Sequence, residues 1–280
     1  MLTELPETDA QGEIAAIFAE VRHLYATPYV SSIHRHMATR PGVLEWAWEL
    51  TAPAFRSGMA QETAWRIASE AALQPLPPIP AEVLAVWGVA PGDIPRLAAI
   101  AESFTRVAPL NLVFGGIVRA TLAGMPPAGP ARDADASRPA ALGTTWMPPA
   151  PLPPPPPFVD AVAREPAERA VLELFRSGTG ATAFVPGLYR MLAHWPAFLA
   201  HLAVELRPRF TSPEKAAVAA SLIARIDDAV DGMRATLPAP ARQGPLPDEA
   251  AHLIRMIDGY RVTSPEMILF GRLIREALPL

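Results

Sequence analysis

The chain repeats itself, and that constrains its architecture more than any other feature. Residues 29–55 align with 184–210 at an offset of 155, with identities at Val30/Val185, Arg35/Arg190, Ala38/Ala193, Pro41/Pro196, Leu44/Leu199, Pro53/Pro208 and Phe55/Phe210. Residues 94–124 align with 250–280 at an offset of 156, through Leu97/Leu253, Pro109/Pro265, Phe114/Phe270, Gly115/Gly271, Arg119/Arg275 and Leu122/Leu278. The two blocks are collinear. A repeat this long implies a duplicated domain, a pseudo-dimer in one chain rather than a solenoid. Between the copies lies a tether: 12 of the 34 prolines fall between residues 125 and 158, ending in the run 153–157. Such a run favours stiff, extended polyproline II. The expected division is an N-terminal repeat over 1–124, a Pro-rich linker over 125–157 and a C-terminal repeat over 158–280.

Each half reads as helical. Ile14, Ile17, Phe18, Val21 and Leu24 recur at helical spacing in 13–25. Val30, Ile33 and Met37 form a stripe that Val185, Leu188 and Leu192 repeat. Pro41 and Pro196 are placed to open helices at the first turn, where a missing N–H costs little. Ser212-Pro213-Glu214 reads as an N-cap followed by proline at the first helical position, leading into a helix through 218–233. Further helices are predicted over 97–104 and 109–122 in the first half, and over 253–260 and 265–278 in the second. No alternating strand pattern or Asn-Gly hairpin is present. The fold class is therefore all-α: two homologous helical bundles joined by the linker, with a cleft between them as the natural ligand site.

Composition excludes several chemistries. There is no cysteine, so disulfides, thiolate nucleophiles and Cys-ligated metals are out. The net charge is −4, with no clustered basic face, which argues against a nucleic-acid partner. Residues 1–13 are polar and acidic, unlike a secretory signal, and the most apolar stretches, 108–118 and 216–224, fall short of a bilayer span. A cytoplasmic protein without a membrane partner is expected, and no cofactor is implied. Oligomeric state is not encoded in any motif.

Of the six histidines, His34 and His36 are two apart and face different ways on a helix. Glu20-x-x-His23 has the spacing of di-iron bundles but no second copy, so no metal is expected. Asp227, Asp228 and Asp231 read as a solvated face paired with Arg225 or Arg234. Ser177-Gly178-Thr179-Gly180 reads as a turn between helices. Trp46 and Trp48 flank Ala47, so at most one faces the core squarely and the other lines a cleft or a helix contact, with core packing the default for both.

Several segments together resemble the group I 2-haloacid dehalogenases, the DehI type. They are Arg22–Val30 (RHLYATPYV), Ala38-Thr39-Arg40-Pro41-Gly42, Phe104 with Ala108-Pro109, and Leu192-Ala193-His194-Trp195-Pro196. The resemblance runs over nearly the whole chain. It implies an all-α fold of two similar halves and direct hydrolysis of the carbon–halogen bond in both enantiomers of short 2-haloacids. In that family an aspartate four residues before the Leu-Ala-x-Trp-Pro segment activates the attacking water. Here that position is Leu188, followed by the retained aromatic Tyr189 and preceded by Gly187 where serine is usual. The family's water-holding asparagine before the first-half proline is Ala108; Asn111 lies nearly one turn on. Tyr29 keeps an aromatic pocket position, and Ser32 stands where a larger apolar wall is expected.

Leucine cannot accept a proton from water and alanine cannot orient one, so the family reaction is expected to be lost or altered. The pocket residues would be Tyr29, Ser32, Asn111, Gly187 and Tyr189, around a small organic acid or apolar ligand. Two other readings stand beside this one. In the first, an active hydrolase uses a relocated base, His34, His36 or His194, since imidazole titrates near working pH. In the second, a non-catalytic interaction protein works through the bundle surface or the linker segment 128–152.

Overall fold

In the computed structural model, residues 3–129, 146–160, 163–177 and 184–280 are described. Eleven α-helices, with short 3-10 turns at Glu7–Asp9 and Pro91–Asp93, account for the regular structure of these residues. The first six are α1 (Gly12–Tyr25), α2 (Ser32–Met37), α3 (Val43–Arg56), α4 (Met59–Glu70), α5 (Ala81–Val86) and α6 (Ile94–Leu122). The other five are α7 (Pro166–Glu173), α8 (Gly187–Leu192), α9 (Pro196–Phe210), α10 (Pro213–Arg234) and α11 (Pro247–Ala277). Among the described residues the only β-type pairing is an isolated bridge between Ser177 and Phe184. The all-α expectation holds. The predicted turn at 178–180 and most of the linker's middle lie outside the described residues.

Proline explains many of the helix starts. It occupies the first turn of α7, α9, α10 and α11, where its fixed φ suits the helix and no N–H is missed. Ser212 caps α10 as predicted, its Oγ accepting from the Lys215 N–H at 3.1 Å. Pro41 behaves differently from Pro196. Gly42 is the N-cap of α3 with φ of 78°, so Pro41 lies in the preceding turn rather than in the helix.

The predicted helix pairs on either side of Pro109 and Pro265 are each one continuous helix, α6 and α11, with the proline inside. A proline that breaks one backbone bond is tolerated there because neighbours enclose the helix along its length. Gly115 meets Ile257, while Gly271 meets the Ala101 carbonyl and Thr105, so α6 and α11 cross antiparallel at close range. Their middles, Ala108 and Ser264, are both buried. A Cβ on Gly116 would come within 2.8 Å of Val230 Cγ2, so α10 also packs tightly on α6.

The helical segment over 91–122 is long and apolar enough to cross a membrane, more than the sequence stretches suggested, but 72% of its most apolar 18-residue stretch is buried inside the protein. An all-round apolar helix at the centre of a bundle has this signature.

Around the central pair the other helices form one continuous core. Trp46 and Trp48 are both buried, in keeping with the default of core packing for each. The α3 helix is covered on two sides: Trp48 Nε1 donates to Glu20 at 2.7 Å, and Trp46 lies against Gly244. Glu20 also accepts from Arg56, whereas His23, the other half of the Glu20-x-x-His23 spacing, is exposed. Asp231 pairs with Arg234 as predicted, whereas Asp227 takes Arg261 in a two-pronged pair at 2.7 Å and Arg225 pairs with Glu70.

The described ends of the linker are docked. Ala128 N–H donates to the Arg234 carbonyl and Gly129 N–H to that of Leu237. Trp146 packs on Gly58, the Ala150 carbonyl accepts from Arg106, and Phe158 lies under the Arg190 guanidinium at 4.3 Å.

Candidate functional site

The sequence-predicted site residues fall into distinct places. The α1 helix ends at Ala26, whose φ of 52° turns the chain into the segment leading to α2. That turn presents Tyr29 to α6, where its hydroxyl donates to Ser103 Oγ at 3.3 Å. Burial pushes the Tyr29 phenol up to about 12. One residue into α2, Ser32 Oγ contacts the Tyr260 hydroxyl on α11. Arg35 stands one turn further along the same helix face.

Gly187, related to Ser32 by the 155-residue offset, sits in the counterpart position. A Cβ there would meet the Phe158 and Phe104 rings at 3.1–3.2 Å, so this end is apolar and closed.

Leu188 is wholly buried at 0% exposure, on the stripe that Leu192 continues. Ala108 is 5% exposed. Both positions at which the resemblance places the water-handling groups are thus core positions.

The Asn111 side-chain oxygen is already engaged. Oδ1 accepts from Ser31 Oγ at 2.9 Å, Ser31 pairs with His34 Nδ1 at 3.0 Å, and His34 Nε2 faces the Tyr25 hydroxyl at 3.4 Å. Neutral His34 closes this chain when Nδ1–H donates to Ser31 and Nε2 accepts from Tyr25. The His34 ring lies 4.3 Å from Phe114 between ring centroids. Burial lowers its pKa from 6.5 to about 3.

The other two candidate bases are elsewhere. His36 is buried, with Nδ1 at 2.7 Å from the Thr3 carbonyl and Nε2 at 3.2 Å from His252 Nε2. His194 is exposed and donates to the Pro157 carbonyl at 2.9 Å. Only His34 sits beside Asn111, and it does so in a dry core.

Tyr189 is buried in the second half, stacked on Phe175 at 4.2 Å. Its buried hydroxyl lies beside the Glu266 carboxyl, off the ideal hydrogen-bond geometry. Glu266 is 6% exposed, with Lys215 Nζ at 3.6 Å and Ser177 Oγ at 3.5 Å. Burial raises the Glu266 pKa, outweighing Lys215 and the hydroxyls, which lower it. Sequence reasoning missed this cluster. Its only signal was a lone carboxylate, Glu266, directly after Pro265 in an otherwise apolar run.

Ser103 and Tyr260 were missed as well, because they join Tyr29 and Ser32 from distant parts of the chain, and Arg35, one turn from Ser32, carried no signal beyond its place in the repeat. A groove of about 450 Å³ lies apart from these positions, on the surface between the end of α1 and the linker, lined by Arg22, His23, Thr27, Pro28, Pro148 and Pro151. Among the described residues no three His, Asp or Glu converge as a metal site.

No protein-family model matches the chain, and no curated protein matches it. Solved structures do. A D-2-haloacid dehalogenase mutant in complex with D-2-CPA superposes with a TM-score of 0.73 at 18% identity, over 99% of this chain and 96% of that one. A D-2-haloacid dehalogenase in complex with L-LA gives 0.73 at 18%, over 99% and 97%. A further mutant of such an enzyme gives 0.72 at 18%, over 99% and 96%. The chain has the fold of these dehalogenases from end to end.

Proposed function

We propose that the chain is a divergent group I 2-haloacid dehalogenase relative that has lost direct hydrolytic dehalogenation by the usual route and retains a binding site for a small organic acid. The observation that carries this reading is the complete burial of Leu188, together with Ala108, where the resemblance places the water-activating and water-holding groups. General-base assistance is worth roughly 10²–10⁴-fold, and neither side chain can supply it.

The reading includes a duplicated origin. The helices recur in order, α2 and α8 differing by 155 residues at both ends. Central helices α6 and α11 cross about equivalent residues. The repeats would be 1–124 and 158–280, with 125–157 joining them.

An active enzyme with a relocated base would have to run through His34, which alone stands beside Asn111. Its full burial, satisfied hydrogen bonds and depressed pKa all oppose that role.

The test is restoration. Ala108→Asn with Leu188→Asp should release chloride from racemic 2-chloropropionate above the wild-type rate, provided that circular dichroism and a cooperative melt show a folded variant. A wild type that already releases chloride at a rate unchanged by Leu188→Met would overturn the proposal.

A further inference from the structure

The two repeats differ at one matched place. In the second, the Arg190 carbonyl accepts from Val159 N–H, and Phe158 covers both the Arg190 guanidinium and the space beside Gly187. In the first, the Arg35 carbonyl accepts from Leu5 N–H at 3.0 Å, so the N-terminal arm takes the corresponding seat. There the arm presents a carboxylate, Glu4, which pairs with Arg35. Gly187 and Phe104 are replaced by their hydroxyl-bearing counterparts Ser32 and Tyr260. An aromatic ring suffices to seat the second arm, so docking alone does not require a carboxylate in the first.

From this geometry we infer that Arg35, Ser32 and Tyr260 form a binding site for the carboxylate of a short organic acid, which Glu4 occupies in cis. The inference rests on the proposed small-acid function and names its anchoring residue.

Glu4 fits the site incompletely. It engages Nη2 of Arg35, while the Arg35 Nε–H is buried with no acceptor among the described residues. An untethered carboxylate can bond Nε and Nη2 together, the side-on bidentate geometry that guanidinium prefers. The neighbouring hydroxyls complete a polar wall. The Arg35 charge acts on both the Tyr29 and Tyr260 phenols, and the Glu4 charge acts on Tyr260, so these groups lie within electrostatic reach of one another. Arg35 and Glu4 side chains each keep 25% exposure, so the pair lies at the surface end of the inter-repeat seam, where an acid could exchange with the arm.

The arm has other anchors: Glu7 accepts from Val30 N–H at 2.8 Å and from Arg22 at 2.6 Å, and the Thr3 carbonyl holds His36. Neutralising Glu4 should therefore empty the guanidinium without unfolding the arm.

The experiment is calorimetric titration of the full chain with propionate, using propionamide as the uncharged control. Propionate carries no halogen, so its binding is read independently of any dehalogenation. Glu4→Gln should bind propionate about tenfold or more tightly than wild type, since a charge-assisted pair is worth roughly 1.5–3 kcal/mol. Adding Arg35→Gln should abolish that gain, and propionamide should bind no variant. Should Arg35→Gln fail to fold, Arg35→Lys in the Glu4→Gln background must bind more weakly than Glu4→Gln alone. Equal affinity of Glu4→Gln and wild type, or a gain that survives loss of the guanidinium, would overturn the inference.

Discussion

Acidification should unfold this protein partly through His34. The ring is 0% exposed and its pKa falls from 6.5 to about 3 on folding. Below the unfolded value the denatured chain takes up a proton that the native imidazole refuses, so stability rises with pH across this window and is lost as pH falls. Each unit removes about 1.4 kcal/mol. Between the unfolded value of 6.5 and the folded value of about 3, the loss totals about 5 kcal/mol. That is comparable with the whole stability of a typical domain, about 5–15 kcal/mol.

Urea titrations of wild type and His34→Gln at pH 7 and pH 4.5 isolate the effect, because the carboxylates titrate in both proteins. The wild type should lose about 2.5–3 kcal/mol more than the variant over this interval. The variant will be weaker at pH 7, having lost the links to Ser31 and Tyr25; the difference in slope is the readout. Equal losses within about 0.5 kcal/mol, the usual error of such differences, would refute the reasoning. So would an NMR titration placing His34 near 6.5. The same measurement bears on function, since an imidazole this hard to protonate cannot serve as a general base near neutral pH.

Three further outcomes follow from the same geometry. Glu266 has a raised folded pKa, so its contribution is full below 4.5 and is lost as pH rises through the folded value; Glu266→Gln should therefore improve relative to wild type as pH increases from 4.5 upward, read by melting temperature across pH. Gly58→Ala should cost about 1–3 kcal/mol and expose Trp146 to fluorescence quenchers, because φ is +81° and the new Cβ would lie 2.2 Å from the indole. Ser212→Ala removes the cap on the Lys215 N–H and should cost about 1 kcal/mol in urea unfolding, with Ser212→Asp close to wild type.

The all-α class and most helix starts were legible because their signals are local. Proline at the first turn and the Ser212 cap act over four residues. The continuity of α6 and α11 was hidden, since Pro109 and Pro265 look like breaks until packing on both sides is known. Trp46 and Trp48 could be expected in the core, but not their covers: loop residue Gly244 lies against one and the Glu20 side chain accepts from the other. At the proposed site, sequence position pointed to Leu188 and Ala108 and offered Tyr29 and Ser32 as pocket candidates. It could not identify Tyr260 as their neighbour, because Ser32 and Tyr260 are 228 residues apart. His34 looked like a candidate base by residue type, and only its burial shows a closed structural link.

The central claim is that water activation has been lost at Leu188 and Ala108. The most direct test is chloride release by the wild-type protein at stoichiometric concentration, with D- and L-2-chloropropionate supplied separately and chloride read by ion chromatography. The account predicts release no faster than in protein-free buffer for either enantiomer. Repeated turnover of either one would contradict it.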